Sequence, residues 1–235
     1  MNIYGIMKTN NFLKKRGIFM ASVFKVFVGQ IGSLYDQKRN EEIPTAINKQ
    51  EVTESVFVTK LGLTNDEQAD KKSHGGPDKA VLMYPTYHYD EFWTPKYKEM
   101  TIGAFGENIS VRGLDETEVC IGDIFKMGEV LIEVSQPRKP CFKPNLRYGS
   151  KEIMMDTINN QLTGWYVRIL KEGEVKQGDE IVLMARPNPY YTIERCVNII
   201  HLQKDNLYGL EDLMKVEQLA ESVKETLQKK IDQLS

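Results

Sequence analysis

The residues around Cys141 could make that cysteine chemically reactive. Pro137, Pro140 and Pro144 leave the backbone there little freedom, because proline fixes its own φ and biases the preceding residue towards extended geometry. Residues 136–151 also contain no carboxylate and five cations: Arg138, Lys139, Lys143, Arg147 and Lys151. Fixed positive charge stabilises a thiolate, so the pattern favours a working thiolate over the alternative, a buried structural cysteine beside a solvated basic loop.

A glycine-rich turn is a second candidate site, for an anion. The chain reads SHGGPDKAVLMY from Ser73, so that Gly75 and Gly76 form a turn with a proline and Lys79 opens an apolar run. Consecutive backbone N–H groups with a lysine at the exit suit a phosphate. The turn is not a Walker loop, and His74 is as readily an exposed turn histidine as a functional one.

Composition disfavours several classes of protein. The 235 residues carry 31 Lys and Arg against 33 Asp and Glu, and the net charge of −2 gives no field that would attract nucleic acid or an acidic membrane. Three separated cysteines without a CxxC pair disfavour a disulfide scaffold and favour a reducing cytoplasm. Three histidines without an HExxH pattern disfavour a zinc site, and no apolar run approaches the roughly 20 residues of a membrane helix.

The apolar pattern predicts strands through most of the chain and helices at its end. About eight strands, separated by turns such as Gly128-Glu129, favour a barrel or a sandwich with few helices. One helix is expected from Pro85 to about Glu99. After Pro187 and Pro189 the spacing becomes helical, with one apolar stripe that comprises Leu213, Val216, Ala220, Val223, Leu227, Ile231 and Leu234.

These patterns divide the chain into three parts. Residues 1–19 are expected to be a poorly ordered extension, since Met20 could be an alternative start and leads directly into the first convincing strand. Residues 20–187 form the β domain, and residues 188–235 form a small helical segment. The apolar stripe of that segment must pack on the β domain or on a partner, so a short coiled coil and a homodimer both stay open.

Five segments, in order, resemble the MOSC family, which takes its name from the C-terminal domain of molybdenum-cofactor sulfurase. They read SHGGPDKAVLMYP, FGENISV, VCIGDIF, LIEVSQPRKPCFKP and GWYVRILKEGEV. The resemblance covers roughly residues 22–186 and is strongest to the YiiM-like branch, whose members end in three helices. It implies a mainly β fold, a MOSC-type β-barrel with peripheral short helices and a small C-terminal α-helical appendage.

The resemblance also implies the pyranopterin molybdenum cofactor (molybdopterin). The cysteine at the position of Cys141 would ligate molybdenum and act as the catalytic residue. The other candidate cofactor contacts are His74, Gly75, Gly76, Lys79, Asn108, Arg138 and Lys139. A soft thiolate suits a thiol-ligated metal, and nearby cations suit the phosphate of the pterin.

Two functions follow from what the resemblance implies. The first is a cytoplasmic oxidoreductase that reduces the N–O bond of a small N-hydroxylated substrate and does not depend on pyridoxal phosphate. The sequence has neither a flavin fingerprint nor iron–sulfur cysteine spacing, so electrons would come from a separate reductase. The second is a carrier that delivers sulfur or the cofactor through a persulfide or thiolate on Cys141. A nucleic-acid module using the basic 138–151 loop is disfavoured by the near-neutral charge.

Overall fold

The computed structural model describes residues 20–203 and 205–234, and β-sheet dominates them. The extension predicted at residues 1–19 lies outside the described residues. The strands are β1 Ser22–Val28, β2 Gly32–Asp36, β3 Glu41–Thr45, β4 Gln50–Val52, β5 Val56–Thr59, β6 Gly62–Leu63, β7 Val81–Pro85, β8 Ile109–Arg112, β9 Ile124–Met127, β10 Val130–Pro137, β11 Trp165–Lys171, β12 Gly173–Val175 and β13 Ile181–Ala185.

Eight of these strands form the main sheet, in the order β13-β9-β10-β11-β7-β8-β1-β4. Neighbours in it are antiparallel except for β7 and β8, which run parallel. Near the two ends of the sheet, the N–H of Val23 donates to the carbonyl of Asp179 over 2.9 Å, and that of Ile181 donates to Ala21 over 2.8 Å. Among the described residues, β1 is joined to the segment just before β13 by one isolated bridge, between Ser22 and Glu180, and not by a continuous ladder. The sheet-dominated fold is confirmed, whereas closure into a barrel is not.

Two smaller sheets hold the remaining strands. β2 and β3 form a hairpin, and β12, β5 and β6 form a three-stranded sheet. The hairpin is largely exposed, and its sequence therefore lacks the apolar alternation that indicates a half-buried strand. For this reason the sequence predicts fewer strands than the structure contains.

The strand that leads to Cys141 follows directly from its sequence. Val130, Ile132 and Val134 of β10 alternate along the strand and are fully buried. The turn before β10 contains Gly128, whose φ is +57°, and a Cβ there would lie 2.9 Å from a backbone carbonyl oxygen. Only glycine fits such a position, and the predicted β9–β10 hairpin is confirmed.

Short helices connect the strands. Four of them are α1 Lys71–His74, α2 Thr94–Lys96, α3 Lys143–Arg147 and α4 Ile153–Asn159, with a 3₁₀ turn at Pro77–Lys79 and a π-helical turn at Tyr89–Trp93. The prediction that a helix starts at Pro85 is wrong, because Pro85 is the last residue of β7. Every residue of that strand is buried. Helical geometry begins after it and is interrupted by the π-helical turn.

The C-terminal segment is helical, as its spacing predicts. It comprises α5 Ile193–Val197, a π-helical turn at Asn198–Leu202, α6 Leu207–Met214 and α7 Glu221–Leu234. Leu213, Ala220 and Leu227 from the apolar stripe are fully buried. Leu213 and Leu227 belong to the same apolar cluster as the core residues of β10, so the segment packs on the sheet and completes its core. None of the described helices is both long enough and apolar enough to cross a membrane.

Candidate functional site

The cysteine segment begins where β10 ends. β10 pairs with β11 as far as Pro137, and the N–H of Arg138 then donates to the carbonyl of Gly164 over 3.1 Å. Cys141 follows in a half-buried position, and α3 begins two residues later with a proline in its first turn. The strand on one side and the helix on the other thus fix the place of the thiol at the end of the sheet.

Cys141 lines an open cleft with a cavity volume of about 70 Å³. Residues 45–47, 49, 66–70, 105, 106 and 108 form further parts of its wall, and Tyr166 reaches it from β11. The cleft brings together five of the residues predicted from the sequence, which are His74, Lys79, Asn108, Arg138 and Cys141.

Arg138, which lines this cleft, has a buried side-chain atom without a hydrogen-bond partner among the described residues. Its side chain belongs to a residue only 2% exposed, and its guanidinium carbon lies 4.8 Å from the centroid of the Phe105 ring. The Nη1 atom is buried and has no hydrogen-bond partner among the residues that the structure describes. Burying a cationic donor without a partner costs free energy, so the arrangement suits a ligand that brings an acceptor or a negative charge.

His74 lies at the cleft as a neutral imidazole. Burial, together with the neighbouring charges of Arg138 and Lys143, lowers its pKa to about 4. Its Nδ1 atom lies 3.2 Å from the Tyr166 hydroxyl oxygen. Burial also raises the pKa of the Tyr166 phenol, which therefore keeps its proton at neutral pH.

The glycine turn contributes to the cleft through Lys79 rather than through its amides. The Nζ atom of Lys79 donates to the carbonyl of Lys72 over 2.9 Å, and burial lowers the pKa of this lysine. The N–H of Gly75 donates to the carbonyl of Lys71 over 3.1 Å and is therefore occupied. Within the described part of the chain, the cleft lining does not include Gly75 or Gly76.

Asn108 has a structural task at the cleft wall. Its Nδ2 donates to Asp66 Oδ2 over 2.9 Å, and its Oδ1 accepts the N–H of Leu82 over 3.2 Å. Asp66 is also paired with Lys49, and it accepts the N–H of Gly29 over 2.9 Å. These bonds tie the 66–70 wall to β7 and to the end of β1, so Asn108 holds the cleft in shape.

The basic run from 138 to 151 divides into parts with different surroundings. Arg147 Nη1 lies within 3.1–3.2 Å of the carbonyl oxygens of Ile47, Gly103 and Ala104, so this guanidinium joins two walls of the cleft. Lys139 is exposed and lies outside the cleft lining of the described residues. Its charge acts instead on His201 of the C-terminal segment, whose pKa is lowered to about 4, mainly by burial.

Comparison with known proteins places the chain in a family. A model of the MOSC domain matches residues 70–182, and a model of the YiiM-like 3-alpha helix domain matches residues 192–234. Protein YiiM of Escherichia coli strain K12 is 37% identical over 209 residues, which cover 87% of this chain and 90% of that protein. The chain belongs to the MOSC family, in its YiiM-like branch.

Other relatives agree with this assignment. The uncharacterized protein YflK of Bacillus subtilis is 37% identical over 215 residues, 91% of this chain and 96% of that protein. The crystal structure of YiiM from Geobacillus stearothermophilus superposes with a TM-score of 0.76 at 30% identity, covering 90% of this chain and 99% of that chain. A protein named Reductase from Gibberella moniliformis is 38% identical over 170 residues, 71% of this chain but only 30% of that protein.

Several residues of the MOSC cleft are not apparent from sequence motifs. Tyr166 belongs to a strand whose aromatic and β-branched residues look like ordinary core, and Phe105 likewise lies in an apolar context. Phe105 reaches the cleft because the buried carboxylate of Glu107 accepts the N–H of Gly103 over 2.8 Å and shapes the turn between them. In the sequence, the signal for this loop is an acidic residue, Glu107, directly after the closely spaced Gly103 and Gly106.

The C-terminal helices support the cysteine segment from behind. The hydroxyl of Ser222 donates to Gln136 Oε1 over 3.2 Å, and the N–H of Ala220 donates to the carbonyl of Ser135 over 3.0 Å. Both acceptors lie on β10, within six residues of Cys141. The helical segment therefore fixes the strand that carries the thiol.

The donor set of the cleft fits a cofactor that brings its own metal ligands. Among the described residues, no cluster of three or more His, Cys, Asp and Glu side chains could hold a bare metal ion. The cleft offers one half-buried thiol together with the unsatisfied cationic donor of Arg138. A metal that already carries sulfur ligands and an anionic group would use one further thiolate and neutralise the buried charge.

Proposed function

We propose that this MOSC protein binds the molybdenum cofactor and reduces small N-hydroxylated compounds. The observation that carries the proposal is that Arg138, whose buried Nη1 has no partner among the described residues, lines the same cleft as the half-buried Cys141. Membership of the MOSC family and the similarity to a protein named Reductase support it. The fold and the cleft alone do not specify a substrate.

Cys141 would be the protein ligand of molybdenum. The other two cysteines, Cys120 and Cys196, are buried. Burial raises the pKa of the Cys120 thiol to about 12 and also raises the pKa of the Cys196 thiol. A thiol must lose its proton to ligate a metal, so neither of these is suited to the task. Cys141 is the cysteine that lines the cleft.

Arg138 and Lys143 would hold the anionic part of the cofactor. A charge-assisted hydrogen bond from Arg138 Nη1 would satisfy the donor that the described chain leaves unsatisfied. Lys143 acts on the same region, since its charge helps to lower the pKa of His74. Arg147 would contribute indirectly, because its bonds to three carbonyls fix the opposite wall of the cleft.

When bound, the molybdenum cofactor supplies a metal that can exchange two electrons with a substrate. Reduction of an N–OH group consumes two electrons and two protons, breaks the N–O bond, and releases the amine and water. The electrons would come from a separate reductase, because the sequence has no flavin fingerprint or iron–sulfur cysteine spacing. The protons would come from solvent, which reaches the open cleft.

An anaerobic turnover assay tests the proposal. Protein made in a host that synthesises the cofactor is given dithionite as reductant and N-phenylhydroxylamine as substrate, and the aniline formed is measured. We expect many equivalents of aniline per protein, and none above background from the Cys141→Ser variant. Fewer than one equivalent per bound molybdenum would contradict reductase function and favour the carrier function of Cys141.

A further inference from the structure

Tyr166 and His74 form a neutral hydrogen-bonded pair inside the cleft. The phenol oxygen and the imidazole Nδ1 are 3.2 Å apart, and both residues line the cleft with Arg138 and Cys141. Tyr166 is 5% exposed and lies on β11, where it pairs in register with Gln136 of β10. The sheet therefore holds Tyr166 next to the strand that leads to the thiol, and His74 reaches it from the end of α1.

The number of N–H and O–H groups in the pair determines how many hydrogen bonds it can donate to a ligand. A neutral imidazole has one N–H and a phenol has one O–H, and their mutual hydrogen bond uses one of these two protons. Whichever atom donates in that bond, the other proton remains available. The pair thus has one spare donor, irrespective of the tautomer of His74.

Lys79 and Asn108, two other polar side chains that line the cleft, have hydrogen-bond partners within the chain. Lys79 donates to the carbonyl of Lys72, and Asn108 donates to Asp66. Asp66 in turn is paired with Lys49. The neutral pair is therefore well suited to select a ligand by a hydrogen bond, in contrast to the charged groups, which attract any anion.

We propose that the Tyr166–His74 pair donates a hydrogen bond to the hydroxyl oxygen of the N-hydroxylated substrate and so distinguishes it from the corresponding amine. This inference rests on the proposed function, and it moves His74 from the cofactor to the substrate. A site that hydrogen-bonds a substrate hydroxyl rejects the analogue without it, because the buried donor is then left unpaired. The product amine lacks that oxygen and would leave more readily.

The pair is a recognition device rather than a source of protons. Burial raises the pKa of the Tyr166 phenol, and His74 has no second proton to give at neutral pH, because its pKa is lowered to about 4. Neither group is therefore a strong acid under these conditions. The pair holds the oxygen in place while solvent supplies the protons of the reduction.

A binding experiment tests this inference without relying on turnover. Protein loaded with the molybdenum cofactor, in its oxidised form, is titrated by calorimetry with N-phenylhydroxylamine and, separately, with aniline. We expect wild-type protein to prefer the hydroxylated ligand by about tenfold in Kd, the effect of one well-formed hydrogen bond. The double variant His74→Leu/Tyr166→Phe should lose this preference, and each single variant should lose part of it.

The matched control replaces the same residue types outside the cleft. His201→Leu/Tyr191→Phe removes a histidine whose pKa is also lowered to about 4 and a phenol that is hydrogen-bonded to Asp212, both in the C-terminal segment. This control should keep the tenfold preference. Molybdenum content, measured in every variant, should be the same as in wild-type protein if the pair serves the substrate and not the cofactor.

Three results would overturn the inference. The first is a double variant that keeps the preference, and the second is a wild-type protein that binds both ligands equally. The third is a double variant that binds both ligands more weakly by the same factor. Each would show that the pair has only a structural role. A protein that shows the preference but produces no aniline would instead refute the reductase proposal. The two failures are therefore distinguishable.

Discussion

Arg138 and Arg168 lie on neighbouring strands or just beyond them, yet their surroundings are opposite. Arg168 on β11 donates to Asp78 Oδ1 over 2.8 Å, to Glu133 Oε2 over 2.6 Å and to the carbonyl of Gln218 over 3.0 Å. Arg138, at the end of β10, contacts the ring of Phe105 and buries Nη1 without a partner among the described residues. One guanidinium is satisfied by the chain, and the other retains an unsatisfied donor.

The difference separates a cation that stabilises the fold from the cation that we propose binds the cofactor. Arg168 joins the glycine turn, the sheet and the C-terminal segment, so its charge stabilises the fold. A buried charge without a partner usually destabilises a fold, and a protein retains it where a ligand supplies the missing acceptor. The number of Lys and Arg residues in a segment is therefore a weaker indication of a binding site than the number of hydrogen-bond acceptors around each of these residues in the fold.

The largest effect should follow from removing the unsatisfied charge. Arg138→Met keeps the aliphatic bulk of the side chain but removes a charge-assisted hydrogen bond, worth about 1.5–3 kcal/mol. We expect cofactor affinity to fall by about one to two powers of ten. The free energy of unfolding of the cofactor-free protein should fall less than in Arg168→Met, because no bond within the described chain to Nη1 is lost and the charged contact with the Phe105 ring is the interaction removed. Metal content after dialysis and urea unfolding measure the two quantities.

Arg168→Met is the matched control and should show the reverse pattern. It loses contacts to two carboxylates and one carbonyl, so the free energy of unfolding should fall by about 1–3 kcal/mol. Cofactor bound per folded molecule should stay near the wild-type value. Equal losses of cofactor in both variants would show that the distinction between the two arginines is wrong.

A smaller effect should separate two lysines of the basic run. Lys143 lines the cleft, whereas Lys139 is exposed and lies outside the described lining, near the C-terminal segment. Lys143→Gln should lower cofactor affinity about twofold to fivefold, the effect expected of a partly screened charge. Lys139→Gln should change it less. If Lys139→Gln had the larger effect in equilibrium dialysis, the sequence-based prediction of Lys139 as a cofactor contact would be favoured over its position in the structure.

The last effect concerns pH. His74 in the cleft and His201 in the C-terminal segment both have pKa values lowered to about 4, from an ordinary value of 6.5. Between these values the unfolded chain binds protons that the folded protein does not, so the free energy of unfolding falls as the pH decreases from about 6.5 to about 4. His201→Gln should reduce the loss of unfolding free energy over this pH range by about 1 kcal/mol, after allowance for screening by solvent. An unchanged slope in urea titrations at several pH values would contradict this assignment.

Much of the fold could be predicted from the sequence, because its signals are local. The alternation in β10, the glycine turn before it and the apolar stripe of the last helices each depend on residues close together in the chain. The exposed β2–β3 hairpin and the course of the chain after Pro85 could not be predicted, since neither has a one-sided apolar pattern. Pro85 resembles a helix start in sequence but ends a strand through its long-range pairing.

The candidate site was predictable in part for the same reason. The cysteine segment and its cations lie together in the sequence, and the structure brings Cys141, Arg138, His74, Lys79 and Asn108 to one cleft. The sequence cannot show which cations are satisfied, because the partners of Arg147 lie 43 to 100 residues away along the chain. Tyr166 was missed since its partner, His74, is 92 residues distant.

The measurement that most directly tests the central claim is the molybdenum and pterin content of protein purified from a host that makes the cofactor. We expect close to one molybdenum per wild-type molecule and none in Cys141→Ser, whose melting temperature should match that of cofactor-free wild-type protein. Cys120→Ala and Cys196→Ala, which change buried thiols outside the cleft lining, should retain the metal in the folded fraction. Molybdenum retained by the Cys141→Ser variant, or absent from wild-type protein, would contradict a thiolate-ligated cofactor in this cleft.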